Sequence, residues 1–177
     1  MIAAAALLAA LAAAPTFTID ANSNPAVAWA TRVLDDQEQP CWKRAMAAHL
    51  IAGEAGTFVA RTTPYSPDEA LDPGVGGGWS PAWSLGRRLR YGDVAASRAW
   101  PFGTVFFAGP PFNRTWVVVD RGGAVRSRTH IDVCLPRRPE WRAYHRWDAA
   151  YHEAHPNEKY TWLRVWVLGR ITTREAR

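Results

Sequence analysis

Short β-branched runs punctuated by glycine and proline constrain this chain more than any other feature. Thr115-Trp116-Val117-Val118-Val119 ends at Asp120. After a Gly122-Gly123 turn comes a second run, His130-Ile131-Asp132-Val133-Cys134-Leu135. Similar runs occupy 57–63, 93–97, 104–108 and 162–171, with Gly, Pro or polar turns between them. Five or six short strands at this spacing predict a mainly β fold, a small barrel. With 177 residues, 48% of them apolar, the chain is long enough for one domain with a real core.

Ahead of the first strand the apolar spacing changes from two to helical. Asn24-Pro25 opens a helix over 26–34, and Gln39-Pro40 interrupts it. A second helix over 41–52 carries Trp42, Ala45, Met46, His49 and Leu50 at helical spacing, and Gly53 and Gly56 end it. The stretch 136–160, polar but rich in aromatics, predicts one helix or an insertion before the last strand. Residues 2–14 are almost wholly Ala and Leu, long enough for a signal h-region and too short for a conventional membrane span. These features divide the chain into a signal peptide over 1–14, a helical N-terminal extension over 15–56 and a barrel over 57–177. The protein is expected to be exported to the periplasm or cell envelope.

Formal charge is +5, and the basic residues are scattered, as in Arg87-Arg88 and Arg137-Arg138. That suits either an anionic polymer or an ordinary solvated surface. Ten tryptophans exceed what a core of this size needs. Trp79 and Trp83 lie on a long loop over 66–84, where they serve either as a sugar platform or as pins holding the loop to the barrel. Cys41 and Cys134 suit one disulfide in an exported protein and two buried thiols otherwise. His130, His145, His152 and His155 come with no HExxH or Cys–His set, so no metal site is predicted.

The chemistry concentrates at Asp120 and Asp132. They fall at corresponding places on two runs read as neighbouring strands, and such carboxylates serve acid–base chemistry on glycosidic bonds. Alone, each also fits a structural role: Asp120 as a turn cap, Asp132 as an acceptor for backbone donors or a partner of Arg121 or Arg126. A proton donor working near neutral pH needs a raised pKa, from burial or from a second carboxylate nearby.

Four segments together resemble a known family: Tyr91-Gly-Asp-Val-Ala-Ala-Ser97, Trp100-Pro-Phe-Gly-Thr-Val105, Val118-Val-Asp-Arg-Gly-Gly-Ala-Val125 and His130-Ile-Asp132. They are similar to the 3D domain, named for three aspartates, and to the catalytic barrel of membrane-bound lytic transglycosylase A. The likeness covers roughly residues 57–170. It implies a six-stranded double-psi β-barrel. It also implies that Asp132 is the general acid/base cleaving the bond between N-acetylmuramic acid and N-acetylglucosamine, with a 1,6-anhydro product, and that Asp120 supports it. Ser97, Thr104, Gly122 and Gly123 fall within the matched segments and, with Trp79 and Trp83, are the expected substrate-binding residues.

The chain departs from the family pattern in three places. The first family aspartate aligns with Ser97, and Asp93, of the same strand parity, is a candidate substitute. The turn between Asp120 and Asp132 has one extra residue and no glycine after Arg126. The aromatic expected two residues after Asp132 is Cys134. The expected function is a lytic transglycosylase acting on peptidoglycan or a related glycan, without a cofactor, nucleic acid or stable membrane span. The alternative is a glycan-binding barrel without catalysis.

Overall fold

The computed structural model describes residues 24–68, 70–73 and 81–177. The signal-peptide expectation at 1–14 and Trp79 lie outside the described residues. Two helices come first, α1 (Pro25–Asp35) and α2 (Cys41–Ile51). The Asn24 side chain accepts from the Ala26 N–H at 3.0 Å and Pro25 follows, so α1 starts where the sequence predicts. Then come β1 (Gly56–Tyr65), β2 (Asp93–Ala96), β3 (Thr104–Ala108), β4 (Arg114–Asp120) and β5 (His130–Cys134). Helix α3 (Arg138–Ala154), strand β6 (Thr161–Arg170) and a last short helix α4 (Thr173–Ala176) complete the chain.

The six strands close into a barrel in the order β1-β5-β2-β4-β3-β6. The pairs β1·β5 and β2·β4 are parallel, and the others antiparallel. Every strand contributes alternate side chains to one interior core, among them Ala60, Val94, Phe106, Trp116, Ile131 and Val165. A second core lies outside the barrel wall, where Trp29, Met46 and Leu50 of α1 and α2 pack with Phe107, Val119 and Leu168. The Trp29 and Phe107 rings are 5.1 Å apart. The N-terminal helices are therefore part of the packed body.

Helix α3 contributes one fully buried residue, Tyr144, whose hydroxyl donates to Thr62 Oγ1 at 3.2 Å. Around it Phe112 of the β3–β4 turn meets Trp116 at 5.0 Å and Trp147 at 5.2 Å. Much of the surplus aromatic content thus serves packing.

Two expectations are corrected, and the alternatives for the cysteines are decided. The first strand does not stop at Thr63: it continues through Pro64 to Tyr65. Beyond Thr62 only β5 pairs with it, so Pro64 has an unpaired side on which its missing N–H costs nothing. The strands carrying Asp120 and Asp132 are not neighbours, because β2 runs between them and Ala95 is in register with both. Adjacent strands lie about 4.8 Å apart, so two steps separate the backbones by roughly 10 Å. The cysteines form no disulfide: Cys134 is buried in the outer core and Cys41 is exposed. Burial pushes the Cys134 thiol up to about 12, so it stays protonated and unreactive.

Among the described residues no helix is long and apolar enough to cross a membrane. Gly103 ties β3 to the end of β6. Its φ is +83°, and an added Cβ would sit 2.2 Å from the Ile171 carbonyl oxygen. Gly86 has a similar φ of +66° with open space around it. Gly103→Ala is therefore expected to lose more than about 2 kcal/mol in urea unfolding, from left-handed strain plus overpacking, and Gly86→Ala only about 1. Equal losses at the two positions would contradict the crowding.

Candidate functional site

The alternation of β5 places Ile131 and Val133 inside the barrel, which turns His130 and Asp132 to the other face. The parallel partner β1 sets Thr63 in register with Asp132, and Arg61 with His130. Four polar side chains from two strands therefore share one patch of the outer wall.

The contacts within it are close. The Thr63 hydroxyl donates a hydrogen bond to Asp132 Oδ1. His130 Nε2 lies 2.7 Å from Thr63 Oγ1 and 3.0 Å from Asp132 Oδ1. The Asp132 side chain is 18% exposed and that of His130 only 5%. Arg61 lies along the patch with its guanidinium 4.1 Å from the centre of the Tyr160 ring. Among the described residues Asp132 makes no ion pair with an arginine. Arg121 instead donates to the Ala96 and Ser97 carbonyls and stacks on Phe102.

Burial raises the Asp132 carboxyl above its ordinary 3.8, against the Thr63 hydrogen bond and the charges of His130 and Arg61. Burial also lowers the His130 imidazole below its ordinary 6.5, against the pull of Asp132. Burial thus works against the charged form of each group, raising the Asp132 carboxyl and lowering the His130 imidazole. They titrate as a pair. The partner that sequence reasoning assigned to Asp132 was Asp120; the group coupled to it here is His130.

Oxygen Oδ2 of Asp132 faces the Gly122 loop. A Cβ on Gly122 would lie 2.8 Å from this oxygen and 2.4 Å from Val125 Cγ2, so only glycine lets the loop come this close. Gly122 also lines a cleft of about 430 Å³, together with Ala96, Ser97, Arg98, Arg121, Gly123, Val125 and Arg126. Asp132 is not itself among the residues lining the cleft; one of its oxygens is held by Thr63 and the other lies against Gly122, which does line it.

The remaining expected residues divide. Ser97 lines the cleft, and its buried hydroxyl has no hydrogen-bond partner. Gly123 lines it too and is exposed. Asp120 lies at the end of β4, accepting from the Tyr65 hydroxyl at 3.3 Å and from the Ala82 and Arg121 N–H groups at 3.2 and 2.8 Å. It anchors the loop that leads to the cleft. Thr104 does not reach the cleft: it is 4% exposed, and its hydroxyl donates to the Pro101 carbonyl at 2.7 Å. Trp83 stacks flat on Phe102 at 6.0 Å, with its backbone N–H on the Val119 carbonyl, which pins the loop to the barrel.

Asp93 does not substitute at Ser97. It is 3% exposed and takes two hydrogen bonds from Arg87, at 2.6 and 2.8 Å, and one from the Arg90 N–H. Arg87 and Arg90 also hold the Ala176 carbonyl, so Asp93 fastens the C-terminus to the barrel. Among the described residues no three His, Cys, Asp or Glu side chains converge as a metal site would require. His152 lies 3.2 Å from Thr161 Oγ1, and His155 Nδ1 lies 2.9 Å from the Tyr151 carbonyl.

Compared with protein-family models, with curated proteins and with solved structures, the chain matches none of them. The site is therefore read from its own geometry. Its most specific steric feature is the room that Gly122 leaves for Asp132. Gly122→Ala is expected to cost about 1–3 kcal/mol in chemical denaturation, because Val125 and the carboxylate must shift. Gly123→Ala, with nothing within 4 Å of the added carbon, is expected to change stability by less than about 0.5 kcal/mol. Similar losses for the two would show that the loop does not press on Asp132.

Proposed function

We propose that this barrel cleaves glycosidic bonds of peptidoglycan by lytic transglycosylation, with Asp132 as its single acid/base. The observation that carries this reading is a partly exposed carboxyl whose pKa burial raises and whose Oδ2 lies against Gly122, a residue that lines a cleft. Protonated Asp132 gives its proton to the oxygen between the muramyl C1 and the next sugar, and the C1–O bond breaks. The muramyl 6-hydroxyl oxygen bonds to C1, and the Asp132 carboxylate takes the proton it sheds. One sugar leaves with its hydroxyl restored, the other as a 1,6-anhydro ring, and Asp132 ends protonated as it began.

No water nucleophile enters, so a second carboxylate beside the bond is not needed. That accords with Asp120 being occupied by Tyr65 and two backbone N–H groups. Thr63 keeps Oδ1 oriented, and His130, whose pKa burial lowers, lies within hydrogen-bond distance of the same oxygen. The two parallel pairs within the closed barrel support the double-psi reading of the fold. On this reading the protein acts in the periplasm or cell envelope, with the apolar run at 2–14 as its export signal. The second reading, glycan binding without cleavage, draws on Ser97 standing where the family has its first aspartate.

Mass spectrometry of purified peptidoglycan after incubation with the protein decides between them. Anhydromuropeptides are expected, and Asp132→Asn is expected to abolish them while the protein stays folded. Products with reducing ends mean hydrolysis, and glycan retention without products means binding alone. Cleavage should fall as pH rises through the elevated pKa of Asp132. The Thr63 hydrogen bond lowers that pKa, so Thr63→Val should move the alkaline limb to higher pH. A limb that stays fixed, or moves down, contradicts the role of Asp132 as acid.

A further inference from the structure

The cleft outside Gly122 carries a charge pattern that acid/base chemistry at Asp132 does not use. Arg98, Arg121 and Arg126 line it together. Arg98 and Arg121 are close enough for each positive charge to work against the other. Among the described residues none of the three has an ion-pair partner. Arg121 is positioned by backbone, through the Ala96 and Ser97 carbonyls at 3.0 and 3.2 Å, and by the Phe102 ring at 4.0 Å. Those contacts fix its guanidinium without neutralising it.

A second observation is independent of charge. Ser97 is 5% exposed, lines the same cleft, and its hydroxyl has no hydrogen-bond partner. A buried hydroxyl is ordinarily paired. Here a free donor and three guanidiniums outside any ion pair meet Gly122 and Gly123 at one opening. A carboxylate satisfies both: its oxygens accept from planar guanidinium forks and from a hydroxyl.

We propose that this cleft is an anion subsite that holds a carboxylate borne by the glycan, gripped by Arg121, Arg98 and Arg126 with Ser97 as a neutral donor. The inference rests on the reading of the protein as a peptidoglycan-acting barrel and names what that barrel recognises: an acidic saccharide. The neutral sugars of the strand give such a cleft nothing to neutralise. Two carboxylates of the same chemistry are available, the lactyl group of a muramyl residue without its stem and the free carboxylates of a stem peptide. An anion gripped beside Gly122 also sets the loop that covers Asp132, so the subsite would position substrate relative to the acid.

The test is an NMR titration of the 15N-labelled full chain with four probes: N-acetylglucosamine, N-acetylmuramic acid, its lactyl carboxamide, and muramyl dipeptide with free carboxylates. The lactyl acid is expected to bind at least about tenfold more tightly than its carboxamide, with shifts at Ser97, Arg121 and Gly122, and to weaken as salt is added. Preference for the dipeptide over the lactyl acid assigns the carboxylate to the stem; the reverse assigns it to the lactyl group. Arg98→Gln with Arg126→Gln, both exposed and outside the packed core, should remove the discrimination and leave the spectrum of the free protein folded. Asp132→Asn should keep it. Equal affinity for acid and carboxamide, or discrimination that survives the double substitution, overturns the subsite even if peptidoglycan is cleaved. Retained discrimination without any cleavage product overturns the catalytic reading and leaves the subsite standing.

Discussion

Ile131 and Val133 decide which face of the barrel wall Asp132 occupies. Both are buried without remainder in the interior core, and the strand period of two then leaves Asp132 no choice but the outer wall. A register slip of one residue would put a carboxylate among Phe106, Trp116 and Val165 and expose two large aliphatic side chains. The interior packing therefore works as the positioning device for a polar group that it never touches. The same alternation on β1 brings Thr63 to the same face, and the parallel β1·β5 register sets it beside Asp132.

Burial then does the electrostatic work. A carboxyl on an open strand would ionise in the ordinary aspartate range. Here the patch is crowded by His130 and Thr63 and overlain by the Gly122 loop, and desolvation outweighs the groups that favour the charge. The cost is local, and the rest of the barrel is firmly tied. Asp93, Arg87 and Arg90 clamp the C-terminus, Tyr144 and the Phe112 cluster pack α3 against the barrel, and α1 with α2 shields the wall around Phe107. A rigid frame with one uncomfortable carboxyl is the arrangement expected of a site for proton transfer.

The six strands were legible because the runs are short and apolar, several of them β-branched, with Gly, Pro or polar residues between them. The helical starts at Asn24-Pro25 and Cys41 were legible from caps and prolines. Strand order was not. Asp120 and Asp132 look adjacent because only a turn separates them in sequence, yet β2, itself distant in sequence from both, inserts between them. Nor was Thr63 legible as a partner of Asp132, since nothing local announces a parallel pairing across 69 positions. His130 carried a readable signal that went unused: it stands two residues from Asp132 on one strand, and so on the same face. Asp93 shared the parity expected of a substitute for the missing aspartate, but parity says nothing of partners, and Arg87 claims it. Whether Cys41 and Cys134 pair was open in the sequence, because long separation does not fix which core a cysteine enters.

The central claim is that burial in the fold raises the pKa of Asp132 above its ordinary value. Following its side-chain carboxyl carbon by 13C NMR as pH is varied measures this directly. The account predicts a midpoint clearly above 3.8, with a matching inflection in the His130 ring signals as the pair titrates together. A carboxyl that titrates at or below 3.8, with His130 at or above 6.5, would mean that the patch holds an ordinary ion pair.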